Sequence, residues 1–412
     1  MGYPSVSFFG LVASVVLLLQ LALHTQLLQR KPGSNAELST DIVNQYSDLE
    51  DTSPSSLTDT LSPAPSIASI DLFTRFKRFV NENESTLPKT STPQSTFYNN
   101  EIGLENEITN ASNNNPFSGV SSKYLVKNFY SGNFLLPNAQ LCAGKHKNLK
   151  LVVLVPTAIG NFKQRDSVRK TWGSFSARQD VVIGFMAGNP KLSHINDSTL
   201  ELFHQEIDLF RDIIIADLQD SYQNLTLKSL FMIEWASTFC SSARFFMKTD
   251  DDVFLNVPLV LKFISEIEED DSRQPKIYGN VFSGHYPQRD AWFKHKVSYK
   301  IYPHNMSYPN FTSGPSYLVS AKVLRPLLKN AVNLPLFNLE DVFLTGFVAS
   351  SLDIPRINVT QFRNERENPF NMSACKLIKT IAGMTDGSPT QIYYVWYNYL
   401  MGGFICKYLK PR

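Results

Sequence analysis

What this 412-residue chain lacks narrows its class before any motif is considered. Net charge is only +2 and no long run of Lys or Arg occurs. The clustered phosphate neutralisation that nucleic acid demands is missing, so no nucleic-acid partner is expected. Neither a serine nucleophile elbow nor a zinc-ligand spacing is present, which speaks against a membrane-anchored hydrolase. No Lys or Arg precedes the uncharged run at residues 8–24, and Leu21-Ala22-Leu23-His24 is a poor cleavage site. A cleaved signal peptide needs both features, so the run reads as a transmembrane signal anchor after a short cytoplasmic tail at 1–7. Spanning a bilayer takes about 20 residues, which a helix from Tyr3 to His24 supplies.

What is present beyond the anchor points to a lumenal body. Asn-x-Ser/Thr triplets begin at Asn83, Asn110, Asn196, Asn224, Asn305, Asn310, Asn358 and Asn371, all after the anchor. Cys142, Cys240, Cys375 and Cys406 lie on the same side. An even set in an oxidising compartment predicts two disulfides, with three connectivities open. Arg30 and Lys31 oppose this orientation under the positive-inside rule, and the density of sequons outweighs them. Residues 25–135 are rich in Ser, Thr, Asn, Pro and acidic side chains. They hold too little apolar surface to offset chain entropy and read as a flexible lumenal stem.

From residue 136 to 412 short apolar runs alternate with helical spacing. Leu151–Val155, Val181–Met186, Asp212–Ile215 and Arg244–Thr249 predict buried strands, and Leu225–Phe239 predicts a helix. That alternation argues for one α/β domain with a mainly parallel, Rossmann-like sheet. Ligands of such sheets gather beyond the carboxyl ends of the strands.

Asp250-Asp251-Asp252 stands at such an end. In extended backbone Asp250 and Asp252 share a face while Asp251 points away. Two carboxylates there repel unless a cation compensates, and Mn2+ or Mg2+ bridging a diphosphate does so. A bare Asp triplet is more often an acidic turn or a helix cap. An EF-hand calcium loop is excluded, because its Gly and terminal Glu are missing.

The company of the triplet resembles a known family. Arg165-Asp166-Ser167-Val168-Arg169-Lys170-Thr171-Trp172-Gly173 is similar to the R-x-x-x-R-x-T-W-G block of the β1,3-glycosyltransferases, family 31. Lys248 to Phe254 resembles its K-x-D-D-D-V-F block. Tyr308 to Ser320 resembles its Y-P-x-Y-x-x-G-x-G-Y block, and Leu339-Glu340-Asp341-Val342 its E-D-V block. The four stand in the family's order, and the likeness runs from about Cys142 to the C-terminus, roughly two thirds of the chain.

The resemblance implies a GT-A fold, a UDP-sugar donor, a divalent ion and inversion at the anomeric carbon. It makes Asp252 the leading metal ligand, with Asp250 beside it and toward the nucleotide, and Asp251 in the nucleotide-binding group. Arg165 and Arg169 then face the diphosphate or fix the nucleotide loop; a structural ion pair is the other reading. Asp341 is the general base and Glu340 the fallback. Both also suit the acidic start of a helix running to about Ser351. Tyr308, Gly314 and Tyr317 offer a wall for stacking sugar, to which Trp292 adds unless it is core.

One position departs from the family. Where it usually carries a metal-site His, this chain has Met384 and Thr385, and no His follows His304. A thioether is a poor ligand for a hard ion. The expected function is an inverting β1,3-galactosyltransferase of the Golgi membrane, type II in topology, acting on glycans of lipid or protein. The rivals are transfer from UDP-N-acetylglucosamine and a catalytically silent sugar-binding scaffold.

Overall fold

The computed structural model describes residues 116–117, 120–145, 148–193, 195–290, 292, 294–299, 301–302, 306–363, 372–385 and 387–408. The tail, the anchor and most of the stem expected above lie outside them. Among the described residues no helix is long and apolar enough to cross a membrane.

Eight strands form the central sheet. They are β1 (Phe134–Leu136), β2 (Leu151–Pro156), β3 (Val181–Ala187), β4 (Ile213–Ala216), β5 (Phe245–Thr249), β7 (Ile277–Phe282), β8 (Phe311–Ser320) and β9 (Arg356–Asn358), in the order β1-β4-β3-β2-β5-β8-β7-β9. The apolar runs read as strands do form strands, and the period of two sorts their side chains. Leu151, Val153 and Val155 enter one core, Val152 and Leu154 the other. Helices cover both faces: α1 (Phe162–Lys170), α2 (Asp197–Phe210) and α4 (Val257–Arg273) on the first, α3 (Leu225–Phe239) and α5 (Leu324–Ala331) on the second. The helix read at 225–239 matches α3.

The sheet is mixed, which corrects the expectation of a mainly parallel one. β4, β3, β2 and β5 run parallel, but β8 pairs antiparallel with both β5 and β7. Local pattern reveals a strand and not its direction. A small second sheet, β10 (Phe362–Arg363), β11 (Ala382–Met384) and β6 (Val253–Leu255), lies directly after the Asp triplet. The C-terminal helix α6 (Pro389–Tyr408) follows it.

The stem boundary moves toward the N-terminus. Phe117 and Val126 are buried in the main core, the Val126 N–H donates to the Leu334 carbonyl, and β1 begins at Phe134. These few anchors dock on surfaces built elsewhere in the chain, so local composition hides them. Two disulfides close, Cys142–Cys240 and Cys375–Cys406, which selects one of the three connectivities.

Candidate active site

β5 ends at Thr249, and the triplet that follows forms a turn rather than continuing the strand. The alternation of faces expected for Asp250 to Asp252 therefore does not hold, and each carboxylate meets a different neighbour. Asp250 takes the Lys248 ammonium at 2.5 Å. Asp251 accepts from Thr157 Oγ1 and Asn161 Nδ2, both at 2.9 Å, which ties the turn to the loop after β2. Asp252 keeps a buried oxygen, Oδ1, with no hydrogen-bond partner among the described residues. Burial first, then Asp250 and Asp251, pushes its carboxyl up to about 6.

An orphaned carboxylate oxygen is costly unless something compensates it. The donor set fits a hard divalent cation at Asp252 better than at the other two. Among the described residues no group of three His, Cys, Asp or Glu is placed to hold a metal ion alone.

The first motif block supports this turn from below. Arg165 is fully buried, grips Glu206 Oε1 at 2.8 Å and Oε2 at 2.5 Å, and donates to the carbonyls of Ala158 and Ile159 at 2.6 and 2.8 Å. It fixes the loop that holds Asp251. Arg169 spans Glu206 at 2.6 Å and Asp212 at 2.8 Å and lies over Phe210. Both guanidinium groups are thus spent on structural ion pairs, and direct contact with a diphosphate is not what their hydrogen bonds describe. The Trp172 indole N–H donates at 2.9 Å to the carbonyl of Val253, the residue after the triplet.

Thr385 holds the triplet from the other side. Its N–H and its hydroxyl both donate to the Asp252 carbonyl, at 3.0 and 2.6 Å. Met384 pairs with Val253 in the small sheet. The position that departs from the family thus secures backbone.

Asp341 closes the opposite side. The Gly314 N–H donates to its Oδ2 at 3.0 Å, and its own Val342 N–H reaches Oδ1 at 2.9 Å. Burial raises its carboxyl, with the Val342 N–H, Lys248 and the Gly314 N–H opposing. The helix expected to start here is present, with its first part, Val342–Val348, in π form. Thr345 pins it to β8, accepting from the Thr312 N–H at 2.9 Å. π segments are often found at functional sites. Glu340 is 3 % exposed and accepts the Tyr317 hydroxyl, and burial pushes it up to about 7 against the pull of Lys248.

The aromatic wall is corrected. Tyr317 is buried beneath Glu340, and Tyr308 sits in a cluster with Tyr302, Phe337 and Phe347. Trp292 is 97 % exposed, so it is neither core nor part of an enclosed surface. Of that set Gly314 touches Asp341 and Tyr317 touches Glu340. Motif reading missed two residues, Tyr222 and His295, which share a hydrogen bond of 3.0 Å and are both electrostatically coupled to Asp341.

Known proteins are similar to this chain in sequence. Residues 163–360 match the family model described as Galactosyltransferase. Human "Beta-1,3-galactosyltransferase 1" is 31 % identical over 295 residues, covering 70 % of this chain and 84 % of that protein. Human "Beta-1,3-galactosyltransferase 4" is 30 % identical over 319 residues, covering 66 % and 83 %. The Danio rerio "Lactosylceramide 1,3-N-acetyl-beta-D-glucosaminyltransferase B" is 28 % identical over 292 residues, covering 68 % and 74 %. With the triplet, the Glu340-Asp341 pair and the supporting Arg-Trp block in one folded body, the chain belongs to the galactosyltransferase family, β1,3-glycosyltransferase family 31, and is a hexosyltransferase.

Proposed function

We propose that the chain is an inverting β1,3-galactosyltransferase of GT-A type, moving galactose from UDP-galactose to a hydroxyl of an acceptor sugar on a glycolipid or glycoprotein. The observation that carries this reading is the buried, unpartnered Oδ1 of Asp252 beside an Asp251 whose Oδ2 already accepts from Thr157 and Asn161. Asp252 is the residue that would hold Mn2+ or Mg2+. A cation bound there offsets charge on the departing UDP.

Asp341 then takes the proton of the acceptor hydroxyl. Its two oxygens are fixed by the Gly314 and Val342 N–H groups, which limit its rotation and aim its remaining lone pairs. Attack on the face opposite UDP gives inversion. Glu340 is committed to Tyr317 and Lys248, which leaves the base role to Asp341. Galactose as donor rests on the two galactosyltransferase relatives; UDP-N-acetylglucosamine, in keeping with the name of the Danio rerio relative, is the alternative. Residues 8–24, the sequons and the two disulfides support a Golgi membrane protein of type II topology with residues from about 116 onward as its lumenal catalytic body.

The test is UDP release by the purified lumenal part across a panel of UDP-sugars, with and without Mn2+. Turnover is expected with UDP-galactose and Mn2+. Asp252→Asn and Asp341→Asn are each expected to lose more than about 100-fold in kcat, and Asp341→Asn to keep its affinity for UDP. Full activity in either variant defeats that assignment.

A further inference from the structure

Lys248 is 1 % exposed, and its ammonium is where two carboxylates and a backbone carbonyl converge. It donates to Asp250 Oδ1 at 2.5 Å and to the Gly314 carbonyl at 2.6 Å, and it stands 3.8 Å from Glu340 Oε2. The antiparallel register of β5 and β8 sets Lys248 opposite Tyr317, whose hydroxyl holds the other oxygen of Glu340. Gly314 is gripped at both ends, its carbonyl by Lys248 and its N–H by Asp341. The ammonium therefore reaches Asp341 in two ways, through charge and through the Gly314 turn.

A buried charge acts strongly on its neighbours because little water screens it. The groups facing Asp341 are Lys248 on the cationic side, Asp250 and Glu340 on the anionic side, and the His295 ring with the hydroxyls of Tyr222, Tyr308 and Tyr317. Neither Lys248 nor Glu340 is needed to touch a substrate in the reading above.

We propose that Lys248 and Glu340 are positioning residues acting through Asp341: the ammonium favours the ionised carboxylate and steadies its Gly314 donor, Glu340 opposes that charge, and together they set the pH at which proton abstraction begins. This rests on Asp341 being the general base. Removing Glu340's charge makes ionisation of Asp341 easier, and removing Lys248's charge makes it harder. The two substitutions are thus expected to act in opposite directions, which a merely structural role does not produce.

The experiment measures kcat against pH for the lumenal body at saturating donor, acceptor and Mn2+. Lys248→Met is expected to move the acid limb up by about one pH unit, and Glu340→Gln to move it down by less, because Glu340 is itself largely protonated below about 7. Lys248→Arg keeps the charge and is expected to leave the limb in place. Limbs that do not move, or that move the same way in Glu340→Gln and Lys248→Met, overturn the proposal. If Lys248→Met fails to fold, as judged by circular dichroism, Glu340→Gln alone decides: no downward movement overturns it. Activity persisting in Asp341→Asn overturns the base assignment instead, so the two failures are told apart.

Discussion

A Cβ built on Gly314 would stand 3.1 Å from Asp341 Oδ2 and 3.3 Å from its Cγ, tighter than side chains normally tolerate. Gly314→Ala must push the carboxylate aside by a few tenths of an ångström. The expected result is a fall in kcat of roughly 10- to 100-fold, since reacting groups tolerate little misplacement, with UDP affinity by calorimetry unchanged. Glu340 carries a prediction of another kind. Its folded-state carboxyl lies near 7 against an ordinary 4.5, so its contribution favours folding below 4.5 and is lost as pH rises through 7. Thermal melts across that window should show the wild type losing stability relative to Glu340→Gln; parallel curves would remove the claim. At this scale motif order singled out Asp252 and the Glu340-Asp341 pair, and the fold buries Glu340 and an oxygen of Asp252. The aromatics were not legible. Tyr308 and Tyr317 look like a sugar platform in the string, but residue type does not say whether a ring meets solvent or core. Lys248 passed as a letter of its motif, because beyond its neighbour Asp250 its partners are Gly314 in β8 and Glu340 just before the π segment, both more than 60 residues away.

Among elements, the first motif block proves to be scaffold. The Arg165–Glu206 pair joins α1 to α2 and clamps the loop carrying Thr157. Breaking a buried pair strands the remaining charge, so Arg165→Met is expected to cost about 3–5 kcal/mol, read as a lower urea midpoint. Activity should fall with it only in so far as the loop loosens its hold on Asp251. The strands of the parallel half were legible because each is a continuous apolar run. β8 was read through its Gly and Tyr residues as a binding segment, and its antiparallel course depends on pairing with distant β5 and β7. The π form of Val342–Val348 leaves no sequence mark beyond ordinary helical character.

For the molecule as a whole, the family-model match and the folded unit differ in extent. The match covers residues 163–360. Outside it lie Val126 in the core, β2 at the centre of the sheet, Thr157 on Asp251 and Thr385 on Asp252. A fragment limited to 163–360 is expected to show no cooperative melt and no UDP binding, whereas 116–412 should show both. The α/β class of the folded body could be read from the string. The boundary could not, because single residues such as Phe117 and Val126 buy their place in the core without any local pattern to announce them.

The Asp252 carbonyl, held twice by a threonine only 27 residues from the C-terminus, has a genetic consequence. A premature stop codon shortly before that threonine leaves every diagnostic block intact and looks harmless by motif content. It nevertheless unties the backbone of the one residue of the triplet that keeps a buried, unpartnered carboxylate oxygen among the described residues. Truncations in this unassuming tail should therefore be as damaging as lesions in the acidic signature itself.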